Sequence, residues 1–199
     1  DNLPRLDYSG GASCPSLLLE PSRTNALTFS DYLSGSFWFD NDITRSQNTT
    51  EVLSPEGVYN SVKLTETATT ARHRLASNTI TISTSNYTAS VFMKMGTARY
   101  GFLNVGGEST IVVDLQEGEI TDSTTTGTIV HSDIEDYGNG WYRLSVAHSL
   151  TAVTAPYLIQ FGTAGSAEPT YNNYIPQFLG STSNNIYVYG AQLEAGSYP

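Results

Sequence analysis

The chain has one cysteine, Cys14, among its 199 residues. No intrachain disulfide can form, and a metal site built on several thiolates is excluded. Basic residues are scarce: nine Lys and Arg stand against nineteen Asp and Glu, for a net charge of −10 and a pI of about 4.5. A nucleic-acid partner needs a basic footprint, so none is expected. Docking on an anionic membrane surface is disfavoured on the same ground. No run of about 18 apolar residues occurs, so membrane insertion is not expected either. Nor is a signal peptide expected. The chain begins at Asp1 rather than Met and stops at Pro199, which reads as a domain cut from a longer protein. Helical periodicity is nearly absent.

Strand-and-turn chemistry is plentiful. Thr, Ser, Tyr, Val and Ile abound, with 17 Gly and 8 Pro. Such residues suit pleated, half-buried surfaces and the turns between them. Alternating segments recur, such as YTASVFMKM from Tyr87, RYGFLNV from Arg99 and STIVVDL from Ser109. Further on come GTIVHSDIED, WYRLSVAHS, PYLIQFGT and NIYVYGAQLE. A tight hairpin turn is expected around Gly118. About ten strands at spacings of about 8–15 residues predict an all-β, two-sheet antiparallel β-sandwich. A jelly roll fits better than an immunoglobulin fold, because the Cys…Trp…Cys framework is missing. Residues 1–15 read as a lead-in that straps onto a single sandwich domain, 16–199. One helical turn is expected within 29–38.

Catalytic signatures are few. The three histidines, His73, His131 and His148, have no metal-binding spacing. No nucleophile elbow occurs. The acids of DIED, Asp133 to Asp136, sit before a glycine turn and read as a solvated loop rather than as the spaced carboxylates of a glycosidase. Asp40 and Asp42 lie two apart as in calcium loops, but the glycine and distal glutamate of an EF-hand are missing. An ordinary polar loop is expected there.

Alternation sorts core from surface, since one face of each strand must be buried. Leu103 and Val105 share a face, which leaves Tyr100, Phe102 and Asn104 on the other. Tyr142, Leu144 and Val146 leave Arg143. Ile159 and Phe161 leave Gln160. Ile186 and Val188 leave Tyr187 and Tyr189. Val91 and Met93 leave Phe92 and Lys94. Aromatic rings take the apolar faces of sugars, while amides and cations take the hydroxyls. Tyr100, Asn104, Arg143, Gln160, Tyr187, Tyr189 and Lys94 are therefore candidate carbohydrate contacts. His73, between two arginines, is a further candidate, or else a partly buried polar residue on a sheet. The strands carrying these residues either adjoin in one sheet or are spread over two outer faces.

Three segments carry a resemblance. PRLDYSGGASCPSLLLEPSRTNALTFSDYLSGSFW (Pro4 to Trp38), YTASVFMKMGTARYGFL, and GNGWYRLSV with IYVYGAQLEAGSYP run in order along nearly the whole chain. Together they resemble a domain of bacteriophage tail, tail-spike and tail-fibre proteins. They are also similar to the carbohydrate-binding modules and lectin-like jelly rolls, of the concanavalin A type, that are appended to glycan-degrading enzymes. The resemblance implies a non-catalytic module that binds cell-surface or matrix polysaccharide. It would be located on the virion tail or outside the cell, in a parent protein that forms homo-oligomers. The alternative is an assembly or decoration domain with no glycan ligand. The resemblance also implies a structural calcium ion near Asp31. The closing strand reads Tyr189-Gly190-Ala191-Gln192 instead of an acidic pair, so Glu194 would have to serve as the second ligand. Trp141 follows the positive-φ turn GNG and recurs as a mark of the fold, which favours a structural post over a sugar platform.

Overall fold

A computed structural model of the chain describes residues 6–7, 16–17, 24–82, 86–149 and 157–196. In chain order its strands are β1 (Leu6–Asp7), β2 (Ser16–Leu17), β3 (Trp38–Asn41), β4 (Ile43–Ser46), β5 (Val62–Glu66) and β6 (Thr70–Ala71). Next come β7 (Arg74–Ser77), β8 (Asn86–Met95), β9 (Tyr100–Val105), β10 (Ser109–Asp114), β11 (Glu119–Thr125) and β12 (Thr128–Asp136). The last are β13 (Trp141–Ser149), β14 (Ile159–Thr163), β15 (Tyr171–Asn172), β16 (Ile175–Pro176), β17 (Phe178–Leu179) and β18 (Asn185–Ala195).

Two six-stranded antiparallel sheets form a β-sandwich. The first has the order β11-β10-β9-β14-β7-β3, and the second β12-β13-β8-β18-β5-β4. The chain changes sheet at β3–β4, β5–β7, β7–β8, β8–β9, β11–β12, β13–β14 and β14–β18, as a jelly roll does. From the lead-in, β1 pairs antiparallel with β2 at the start of the domain. Cys14 lies outside the described residues. Among those residues no helix is long and apolar enough to cross a membrane.

The alternating rows meet between the sheets. Val91, Met93, Leu144, Val146, Ile186 and Val188 of the second sheet face Leu103, Val105, Ile111, Val113, Ile159 and Phe161 of the first, all in one buried cluster. Each such side chain contributes about 1.5–3 kcal/mol on burial. The inner and outer assignments made from alternation hold on β8, β9, β13, β14 and β18.

Two local features were hidden from the pattern, and a third was expected. The expected polar loop at 39–46 is two four-residue strands, β3 and β4, joined at Asp42, whose φ is 52°. Each strand is too short to show a period, and only Trp38 and Ile43 are buried in them. The Asp40 carboxylate pairs with Arg45 at 3.2 Å across the corner. The expected helical turn is the short 3-10 turn Gly35–Phe37. In β18 the register against β8 slips between Tyr189 and Gln192, with Gly190 at φ 59°. This bulge keeps Tyr187 and Tyr189 facing outward and still turns Ala191 and Leu193 into the core.

Each outer face carries a cover made by the chain itself. Residues 164–176 lie over the first sheet, where Phe102 and Val112 pack with Ala164 and Ile175. Residues 47–61, between β4 and β5, lie over the second, where Val52 packs on Trp141, Tyr187 and Tyr189.

Candidate functional site

The eight candidate contacts do not share a face. Across the second sheet, Trp141, Lys94 and Tyr187 stand in one row, and Arg143, Phe92 and Tyr189 stand in the next. Tyr100, Asn104 and Gln160 belong to the first sheet, on the opposite side of the sandwich. Of the two arrangements left open by the sequence, the second holds, and the strand-borne candidates are spread over both outer faces.

Three of them are buried polar groups bonded within the fold. Asn104 is fully buried and Gln160 is 5% exposed. The Gln160 amide donates to Asn104 Oδ1 at 3.1 Å, and Asn104 Nδ2 donates to Thr110 Oγ1 at 2.8 Å. The Thr110 hydroxyl ends the ladder on the Tyr174 carbonyl. These groups satisfy one another under the 164–176 cover, as buried polar groups must. His73 is fully buried as well. Its Nδ1 lies 2.7 Å from the Asp42 carbonyl oxygen, its Nε2 lies 3.3 Å from that of Phe178, and its ring packs on Phe178. It ties the β3–β4 corner to β17. Tyr100 is half-buried beside Phe102, under the Arg99 guanidinium.

Tyr187 and Tyr189 face outward, but segment 47–61 covers them to 8% and 5% exposure. Their phenols hold that segment down. Tyr187 donates to Glu51 Oε2 at 2.7 Å, and the Glu56 carboxylate lies beside the Tyr189 phenol. Burial, then the glutamate, pushes the Tyr187 phenol up to about 12 and raises that of Tyr189 further. The Trp141 indole donates to the Leu53 carbonyl at 2.8 Å, and the ring is 2% exposed. Lys63 Nζ reaches both Glu51 oxygens, at 2.9 and 2.8 Å. Within the segment, Ser61 Oγ donates to the Val52 carbonyl, and Ser54 N donates to that of Val58. The segment is a shelf pinned from beneath by the aromatic row.

Opposite the shelf stands the turn Gly138-Asn139-Gly140, with φ of 78°, 54° and 76°. Three consecutive left-handed residues explain the glycines and the asparagine. The Asp136 carboxylate accepts from Gly138 N at 2.7 Å, and Lys94 Nζ donates to the Asn139 carbonyl. The Tyr137 ring meets Phe92 edge-on, 4.8 Å between centroids, and stays 47% exposed.

Between shelf and turn lies a cleft of about 470 Å³. Glu51 to Pro55, Gly57 and Tyr59 form one wall, Tyr137 to Asn139 form the other, and Lys94 and Trp141 form the base. Its volume is that of a small-ligand site. Tyr59 is 56% exposed, so an aromatic ring is accessible on each wall. Glu51 is the one carboxylate in the lining. The Lys63 ammonium, then the Tyr187 phenol, hold it below the usual carboxylate range. It therefore stands ionised and hydrogen-bonded, which suits an acceptor rather than a general acid.

The comparisons with known proteins add little. No family model and no curated protein matches the sequence. Among solved structures, the crystal structure of the enzymatically active domain of bacteriophage CBA120 tailspike protein 4 is similar at a TM-score of 0.45 and 14% identity. The likeness covers 85% of this chain and 21% of that one.

Of the sequence candidates, the cleft takes Lys94 directly, and Tyr187 only as the support beneath its wall. Arg143 sits aside, in a shallow groove with Thr88, Ser90, Gln192 and Glu194, where Nη2 donates to Gln192 Oε1 at 3.2 Å. Asp31 and Glu194 do not form a calcium site with a third carboxylate. Among the described residues no three His, Cys, Asp or Glu side chains come together to hold a metal. Tyr59, Tyr137, Glu51 and Asn139 were missed. Leu53, Val58 and Tyr59 stand exposed within a Pro- and Gly-containing stretch of no strand period, and that was the available signal.

Proposed function

We propose that the cleft binds a saccharide unit of a cell-surface or matrix polysaccharide without cleaving it. The domain would serve as the binding module of a phage-type tail or virion protein. One observation carries the reading: two exposed tyrosine rings, Tyr59 and Tyr137, line opposite walls of one cleft whose base and rim supply an ammonium, a carboxylate and an amide. Rings of that kind stack on the CH faces of a sugar, and the polar groups take its hydroxyls. Hydrolysis with a pair of carboxylates has no second partner in this lining. The order of the three motif segments along the chain supports the phage-tail assignment. A weak single site, about −4 to −8 kcal/mol, suffices where copies on one particle act together.

A rival reading is an assembly domain whose exposed Leu53, Val58 and Tyr59 meet another protein. Affinity gels of bacterial and algal polysaccharides separate the two. Wild type should be retarded, and Tyr137→Ala and Tyr59→Ala should each lose about tenfold in affinity, near 1.4 kcal/mol. Their melting points should stay close to wild type, because both rings are half exposed. A folded domain retarded by no polysaccharide, yet self-associating, would establish the rival.

A further inference from the structure

Lys94 has a role that hydroxyl binding alone does not require. Its ammonium is the one cation in the cleft lining, and its described partner is a neutral carbonyl, that of Asn139. Among the described residues it makes no ion pair, whereas Lys63 is neutralised by Glu51 at 2.8 Å. Glu51, the one carboxylate of the lining, is taken by Lys63, so Lys94 is the lining charge left without an opposite partner among the described residues. The chain as a whole carries −10. A single uncompensated cation at the base of an aromatic cleft, on a surface that otherwise repels anions, is a charge filter. A neutral sugar would be served as well by an amide, without the desolvation of an ammonium.

Resting on the binding reading above, we propose that the cleft selects an acidic sugar, its anionic group on the Lys94 ammonium and its ring between Tyr59 and Tyr137. Carboxylate and sulfate share this chemistry, and the shape of the cleft favours neither.

The test runs affinity gels of the intact chain in 0.15 M salt with polygalacturonate, its carboxyl-reduced form, dextran sulfate and dextran. Retardation should occur with polygalacturonate or dextran sulfate and fall in 1 M salt. The responding gel identifies the anion. Lys94→Met should weaken that binding at least tenfold, as loss of a hydrogen bond to a charged group does. Lys94→Arg should keep most of it. The melting points of both variants serve as the folding control. Equal retardation by the neutral gels, lost in Tyr137→Ala but unchanged in Lys94→Met, would overturn the charge inference and leave the binding reading standing. Retardation by none of these gels, nor by the bacterial and algal polysaccharides, would overturn both.

Discussion

Replacing Trp141 with phenylalanine removes one N–H and keeps an aromatic ring in place. The indole donates to Leu53 O at 2.8 Å, and the side chain is 2% exposed in the cluster with Tyr187 and Tyr189. The lost hydrogen bond is worth about 1 kcal/mol net. The lost part of the indole surface, roughly 40 Å², adds about 1 kcal/mol. For a domain of this size about 2 kcal/mol lowers the melting point by about 4–8 °C. Scanning calorimetry would measure the shift. Binding to the responding gel should weaken less than tenfold, because Trp141, 2% exposed at the base of the cleft, offers little surface and acts mainly by holding the shelf. Tyr137→Ala should show the reverse pattern, weakened binding at an unchanged melting point. An unchanged melting point with abolished binding in Trp141→Phe would refute this account and make the indole the platform itself.

Two further outcomes follow from the geometry. Gly162→Ala would place its Cβ 2.0 Å from the His73 carbonyl oxygen, a backbone atom that cannot move without parting β14 from β7. A loss of about 3 kcal/mol or more in the urea-unfolding free energy is expected, and an unchanged midpoint would contradict the close approach. The second outcome concerns alkaline pH. The phenols of Tyr187 and Tyr189 titrate higher in the folded chain than the ordinary value of 10.0. Their stabilisation is complete below pH 10 and is lost as pH rises through the folded values. Melting points should fall from pH 10 upward, and the Tyr187→Phe, Tyr189→Phe double variant should flatten that fall. An identical slope in the double variant would dissociate these phenols from the shelf.

Alternation alone separated inner from outer residues on β8, β9, β13, β14 and β18, because a period of two is fixed by the backbone. It carries no information about which sheet a strand joins. That is why Tyr100, Asn104 and Gln160 were grouped with Lys94 and Arg143, although a sandwich places them on opposite sides. Nor does it tell an open outer face from a covered one. Segments 47–61 and 164–176 hold few strand signals, yet they decide that Tyr187, Tyr189, Asn104 and Gln160 are buried. Asp42 hid a corner because its backbone lies in the left-handed region without a glycine. Turn chemistry did carry over: GNG marked the wall opposite the shelf, and Trp141 was legible as a post. The cleft itself was not legible. Its walls come from residues more than 80 positions apart, such as Leu53 and Trp141, and only the packed sheets bring them together.

The bulge at Gly190 limits how this chain can change in length. Segment 47–61 crosses the surface and has room to lengthen or shorten while its anchors remain. A single residue lost from β18 between Tyr189 and Gln192 would be a different event. Either Ala191 and Leu193 would rotate out of the core, or the two tyrosines would rotate into it and release the shelf. One residue thus keeps the interior and the cleft wall in phase along the same strand. Substitutions can accumulate freely on the shelf, while the closing strand has to keep its count.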